Sequence, residues 1–296
     1  MSGSPSDKRI TLPKAIGWSI AFVVLTFLLA SLLAFGIALL VARSGSGAVD
    51  FLQSVGPGAM LVQAIVMLVS AGIFTWLFGF RILGMTREDL RYAPPQEGLR
   101  GFGLGLLFGA LTAATALGIS VAAGNASWVP DDGGVLDYLR SIALTLAVLA
   151  PAALSEEVVF RGVPLIALAW AIGRGGAITM VALPFALAHL LNPNLTALGV
   201  GNIALAGIFL GVVFYAPGGI WSATGAHLGW NGMLACLDTP VSGLPFDIPL
   251  LDYRSGGPVW LTGGAFGVEG GLAATIALTI AIPLAARWAR SGREIS

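Results

Sequence analysis

Apolar tracts of about the length that crosses a bilayer follow one another along this chain, and they constrain its fold more than any other feature. A helix needs about 20 residues to traverse the hydrocarbon core, where only a helix or a closed barrel satisfies its own backbone. The tracts cover residues 15–42, 58–80, 101–123, 138–172, 177–191, 195–215, 220–237 and 272–288. The first follows Lys8, Arg9 and Lys14 and exceeds the about 7–15 apolar residues of a secretory leader, so it reads as an uncleaved anchor. Charged residues make up 10% of the chain, where a soluble domain carries about a quarter. The fold class that follows is an all-α, polytopic transmembrane helix bundle of about eight spanning helices around an intramembrane polar chamber.

Several function classes fall away on the same grounds. The 15 basic and 15 acidic residues cancel, which leaves no electrostatic pull toward nucleic acid. Cys236 is the sole cysteine, so an intramolecular disulfide framework and a multi-cysteine metal site are both excluded. Three segments are expected: N-terminal spans over 1–137, a core over 138–237, and a Gly/Pro-rich loop with a last span over 238–296. Gly101, Gly105 and Gly109 have the spacing of a close helix contact. Trp128, Trp221 and Trp230 read as interfacial anchors.

Orientation follows from basic residues in short loops. Lys8, Arg9 and Lys14 place the N-terminus inside, Arg81, Arg87, Arg91 and Arg100 the second loop inside, and Asp131, Asp132 and Asp137 outside. If 138–172 is one helix, there are eight crossings and Arg287, Arg290 and Arg293 also fall inside. If it breaks near Pro151, with Ser155 as the cap of a new helix, there are nine and the site opens to the cytoplasm.

The chemistry lies in the few ionisable groups inside apolar tracts, where such groups are costly and point to function. Both histidines, His189 and His227, are there, together with Glu156, Glu157 and Arg161. Glu157 and Arg161 are four apart and can pair on one helix face, which turns Glu156 elsewhere by about 100°. His227 and Asn231, and likewise Phe185 and His189, share faces by the same spacing. A hairpin turning at 173–176 would bring Glu156 and His189 to one level, about 20–24 Å from the turn. A carboxylate facing an imidazole, with a His/Asn pair nearby, is a workable hydrolytic site: one group takes a proton from water and the other pair stabilises an oxyanion.

Glu156-Glu157-Val158-Val159-Phe160-Arg161 resembles the EExxxR motif of the CPBP family, the CAAX-processing and bacteriocin-processing intramembrane proteases. Phe185-Ala186-Leu187-Ala188-His189 is similar to its FxxxH motif, and His227-Leu228-Gly229-Trp230-Asn231 to its HxxxN motif, in the family's order and each within an expected helix. The resemblance implies an endopeptidase acting on a membrane-associated protein or peptide, such as one with a prenylated CAAX tail, in a multi-pass protein of a bacterial-type inner membrane. It implies that Glu156 activates water with His189, that His227 and Asn231 form the oxyanion hole, and that Glu157, Arg161 and Phe185 support them. Some members have been described as metalloproteases, with zinc on residues equivalent to Glu156, His189 and His227. A catalytic zinc takes three protein ligands plus water, and here those ligands come from three helices with no HExxH pair, so no cofactor is expected. A proton-coupled transporter would use the same groups as a relay, and a non-catalytic membrane scaffold or chaperone would bind peptides without cutting them. An inverted repeat with broken helices would favour the transporter, and the sequence shows none.

Overall fold

The computed structural model describes residues 10–54 and 56–291. Lys8, Arg9 and Arg293, which bear on orientation, lie outside the described residues. The chain divides into two compact units, one of residues 1–92 and 150–181, the other of 93–149 and 182–296.

In the first unit, α1 (Leu12–Ala42) opens with Pro in its first turn, whose fixed φ suits a helix start. It buries Ala15, Ser19, Phe22, Thr26, Ala30, Ala34 and Ala38, a stripe spaced by three and four residues. α2 (Gly45–Gln53) follows, and then α3 (Pro57–Phe74), which runs on as a π-helix over Thr75–Ile82. Ala30 and Ala34 pack against Val66 of α3. Phe78, in the π-helix, is ringed edge-on by Trp18, Phe22 and Phe74. Leu28, Leu32 and Leu40 on the opposite side of α1 are exposed, as suits a face turned to lipid.

In the second unit, α4 (Pro95–Gly124) packs along α8 (Ile220–Cys236) through small residues on both helices. A methyl at Gly105 would overlap the Ser222 carbonyl, and one at Gly109 the Ala226 carbonyl. Gly225 and Gly229 of α8 meet the Phe102 and Leu106 carbonyls in the same way. The glycine spacing thus marks a backbone-to-backbone seam. α7 (Ala197–Val213) and α10 (Leu272–Ser291) pack together beside it. A two-stranded antiparallel sheet joins β1 (Ser127–Pro130) to β2 (Leu251–Arg254), pairing Trp128 with Tyr253.

α5 (Val135–Arg161) and α6 (Val163–Leu187) carry the long apolar tract. No break occurs at Pro151, which lies inside α5. Ser155 caps nothing there; its hydroxyl donates to the Ala152 carbonyl at 2.8 Å, the back-bond open to a serine inside a helix. Lipid-embedded helices tolerate proline because neighbours re-satisfy the freed carbonyl. The i→i−4 ladder also bridges Gly162, through Gly162 N–H to Val158 and Ile166 N–H to Gly162. Helical backbone ends first at Gly173, with φ 77° and ψ 166°, in the turn expected over 173–176; residues 174–176 are again helical.

Five helical stretches among the described residues are long and apolar enough to cross a membrane: Leu12–Ala42, Pro57–Ile82, Pro95–Gly124, Val135–Leu187 and Leu272–Arg290. α7 and α8, at 17 residues each, rise about 26 Å and stand just below that length. One of the five, Val135–Leu187, is 53 residues long and takes in the 138–172 tract and most of 177–191. The fold is an all-α polytopic bundle with almost no sheet.

Candidate active site

In the first unit, Glu157 and Arg161 pair across one turn of α5, Nη1 to Oε1 at 3.0 Å, with both side chains fully buried. Their four-residue spacing puts them on one face, and removal from water makes each charge depend on the other. Glu156, one residue earlier and turned to another face, is half-buried.

The second unit gathers the imidazoles. Phe185 sits in the last turn of α6, and its ring lies 4.9 Å from that of His189 and 6.1 Å from that of His227. One aromatic ring therefore lies against two histidines that are distant in sequence. His189 departs from the expected placement: α6 ends at Leu187, and His189 stands in the turn beyond it. Its N–H reaches only the Ala186 carbonyl, and Pro193 disfavours helical backbone at the residue before it. His189 Nδ1 lies 2.8 Å from the Phe185 carbonyl oxygen. A carbonyl can only accept, so Nδ1 carries the hydrogen and the neutral ring keeps its lone pair at Nε2.

His227 and Asn231 stand one turn apart on α8, His227 buried and Asn231 half-buried. At about 100° per residue they face roughly opposite the Ser222, Gly225, Ala226 and Gly229 seam. α4 thus holds one side of α8 while the polar pair occupies the other.

Trp230, expected as an interfacial anchor, is buried instead. Its indole N–H donates to Glu269 Oε1 at 3.0 Å, as a buried indole needs a partner. Glu269 belongs to the long loop after α8, which is folded in and tied down. Asn202 of α7 donates to the Glu269 and Gly271 carbonyls, each at 2.8 Å, and Thr196 to the Gly270 carbonyl at 2.8 Å. Asp238 accepts from the Ile248 and Tyr253 N–H groups, each at 3.1 Å. Burial raises the Glu269 carboxyl above its ordinary range, against the pull of bonds from Ser242 and Trp230. Sequence reasoning passed over this carboxylate, the one charged residue of the glycine-rich stretch 255–271.

The family's alternative zinc set is Glu156, His189 and His227. Within each unit, among the described residues, no three His, Cys, Asp or Glu side chains gather into a group that could hold a metal ion. Both histidines of that set lie against the Phe185 ring.

A family model described as type II CAAX prenyl endopeptidase Rce1-like matches residues 138–233, a segment containing all three motifs. No curated protein and no solved structure matches. With the helices described above, the match makes this an integral, multi-pass membrane protein. Across residues 138–233, the chain is therefore similar to the Rce1-like type II CAAX prenyl endopeptidases.

Proposed function

We propose that the protein is an intramembrane endopeptidase of the bacterial-type cell membrane that hydrolyses a peptide bond in a membrane-associated, CAAX-type protein or peptide. The observation that carries this reading is the family match over residues 138–233, which takes in Glu156, His189, His227 and Asn231 together. Glu156 removes a proton from water, and the resulting hydroxide attacks the scissile carbonyl carbon. The lone pair at His189 Nε2 aids that proton transfer. His227 and the Asn231 amide donate to the oxygen that becomes negative. As the C–N bond breaks, the proton held at Glu156 or His189 passes to the leaving amine. Glu157 and Arg161 hold the α5 turn that carries Glu156. The reaction in this reading uses no metal.

The test is turnover of a farnesylated CAAX-type peptide by purified protein in proteoliposomes. Glu156→Gln keeps the shape and removes the base, so turnover is expected to fall at least about 10²-fold, the scale of general-base catalysis. Cleavage within a few-fold of wild type would rule out Glu156 as the base. Exhaustive chelation is expected to leave the wild-type rate unchanged, and zinc-restorable loss would overturn the metal-free mechanism.

A further inference from the structure

Glu269 is a buried acid that the proposed reaction does not use. Its backbone is pinned to α7 by Asn202 and, through Gly270, by Thr196. Asn202 is fixed in turn by the Thr275 hydroxyl, which donates to its Oδ1 at 2.6 Å. The carboxylate therefore has a set position. One oxygen accepts from the Trp230 indole at 3.0 Å, and both accept from the Ser242 hydroxyl, at 3.3 and 3.2 Å, with the Ser242 backbone N–H also donating.

Trp230 falls three residues after His227 and one before Asn231. On a helix it stands about 60° to one side of His227, with Asn231 about 40° to the other. The three side chains share one stripe, so fixing the indole fixes the rotation of α8 where His227 and Asn231 project. Packing alone does not require this contact, because the seam with α4 already holds the opposite side of α8. A buried carboxylate is a costly way to add more packing. Its return here, from 39 residues further along the chain, concentrates hydrogen bonds at the turn that bears the oxyanion donors.

We propose that Glu269 is a positioning residue of the hydrolytic site, acting through Trp230 to hold His227 and Asn231 in one aim. This rests on the proteolytic reading above. The experiment is a double-mutant cycle of Glu269→Gln, Trp230→Phe and both together, with Glu156→Gln as a parallel arm. The assay is turnover of the farnesylated peptide in proteoliposomes. Each single variant is expected to lower kcat by about 10- to 100-fold, the scale of a misplaced catalytic group, with KM unchanged. The double variant should be no slower than the slower single, because one contact is removed twice. Wild-type kcat in Glu269→Gln, or fully additive losses, overturns the proposal. So does a fall in Tm with kcat per folded molecule intact, which marks the contact as structural only.

If Glu269→Gln does not fold, Trp230→Phe carries the test by the same kcat criterion. A second readout is the indole 15N–H resonance of Trp230, assigned by its loss in Trp230→Phe. It is expected to move in Glu269→Gln, and an unmoved resonance overturns the contact. Full activity in Glu156→Gln fails the general-base mechanism whatever Glu269 does. An inactive Glu156→Gln beside a fully active Glu269→Gln fails only the positioning role. No turnover in any arm, wild type included, fails the proteolytic reading and this role with it.

Discussion

α1 buries one stripe of seven residues, all small except Phe22, and turns most of its 31 residues outward. α8 has 17 residues and is buried around nearly its whole circumference. The apolar character of α1 answers to lipid, which makes no demand beyond hydrophobicity. That of α8 is diluted by Ser222, Thr224, His227, Asn231 and three glycines, because each of its faces answers to protein. The last turns of α5 belong with α8, since they enclose a charge pair. Hydropathy therefore finds the helices that shield this protein more readily than those that carry its chemistry.

The largest test of that contrast strands a charge. Arg161→Ala leaves Glu157 buried alone and is expected to cost about 3–5 kcal/mol of stability, read as a lowered melting temperature in one detergent. Replacing the pair together, as Glu157→Gln with Arg161→Met, should recover part of that loss. Wild-type stability in Arg161→Ala would mean that the buried pair is no more demanding than the lipid-facing side of α1.

A smaller effect separates the two helices directly. Gly109→Ala forces a methyl into the Ala226 carbonyl and is expected to cost about 1–3 kcal/mol, as overpacking does. Gly36→Ala on α1, where nothing stands within 4 Å of the new methyl, should stay within about 0.5 kcal/mol. Equal melting temperatures for the two variants would erase the distinction between the seam and the lipid face.

Smaller still is a pH effect at Glu269. Burial raises its carboxyl above the ordinary value of 4.5, so the folded state binds this proton more tightly than the unfolded chain. The stability it contributes is fully present below that ordinary value and is lost as pH rises through the raised one. Glu269→Gln should flatten this part of the melting-temperature profile. Parallel profiles for the two proteins would argue against a strained carboxyl.

The sequence was informative wherever structure is local. The first three spans follow from the length of their apolar runs, and the Glu157–Arg161 pair and the shared face of His227 and Asn231 from spacings of four. The glycines of α4 announced a close contact, although their partner on α8 lies far along the chain. Pro151 left two readings open because its rule is strongest in water, and α5 continues through it. His189 was assigned to a helix that closes two residues earlier, a boundary set by the turn before Pro193. Glu269 was not legible at all. Its importance comes from a fold that carries a loop back onto Trp230, and no local pattern encodes that return.

The seam between α4 and α8 also has a consequence for biogenesis. α4 leaves the ribosome well before α8, with α5, α6 and α7 made in between. At about 5–20 residues per second, the glycine-lined side of α4 waits several seconds in the bilayer before its complement emerges. During that interval it presents bare backbone to lipid and to any other small-residue helix nearby. A nascent chain halted before residue 220 would thus be open to mispairing, and the order of synthesis makes α8 the helix that closes this seam.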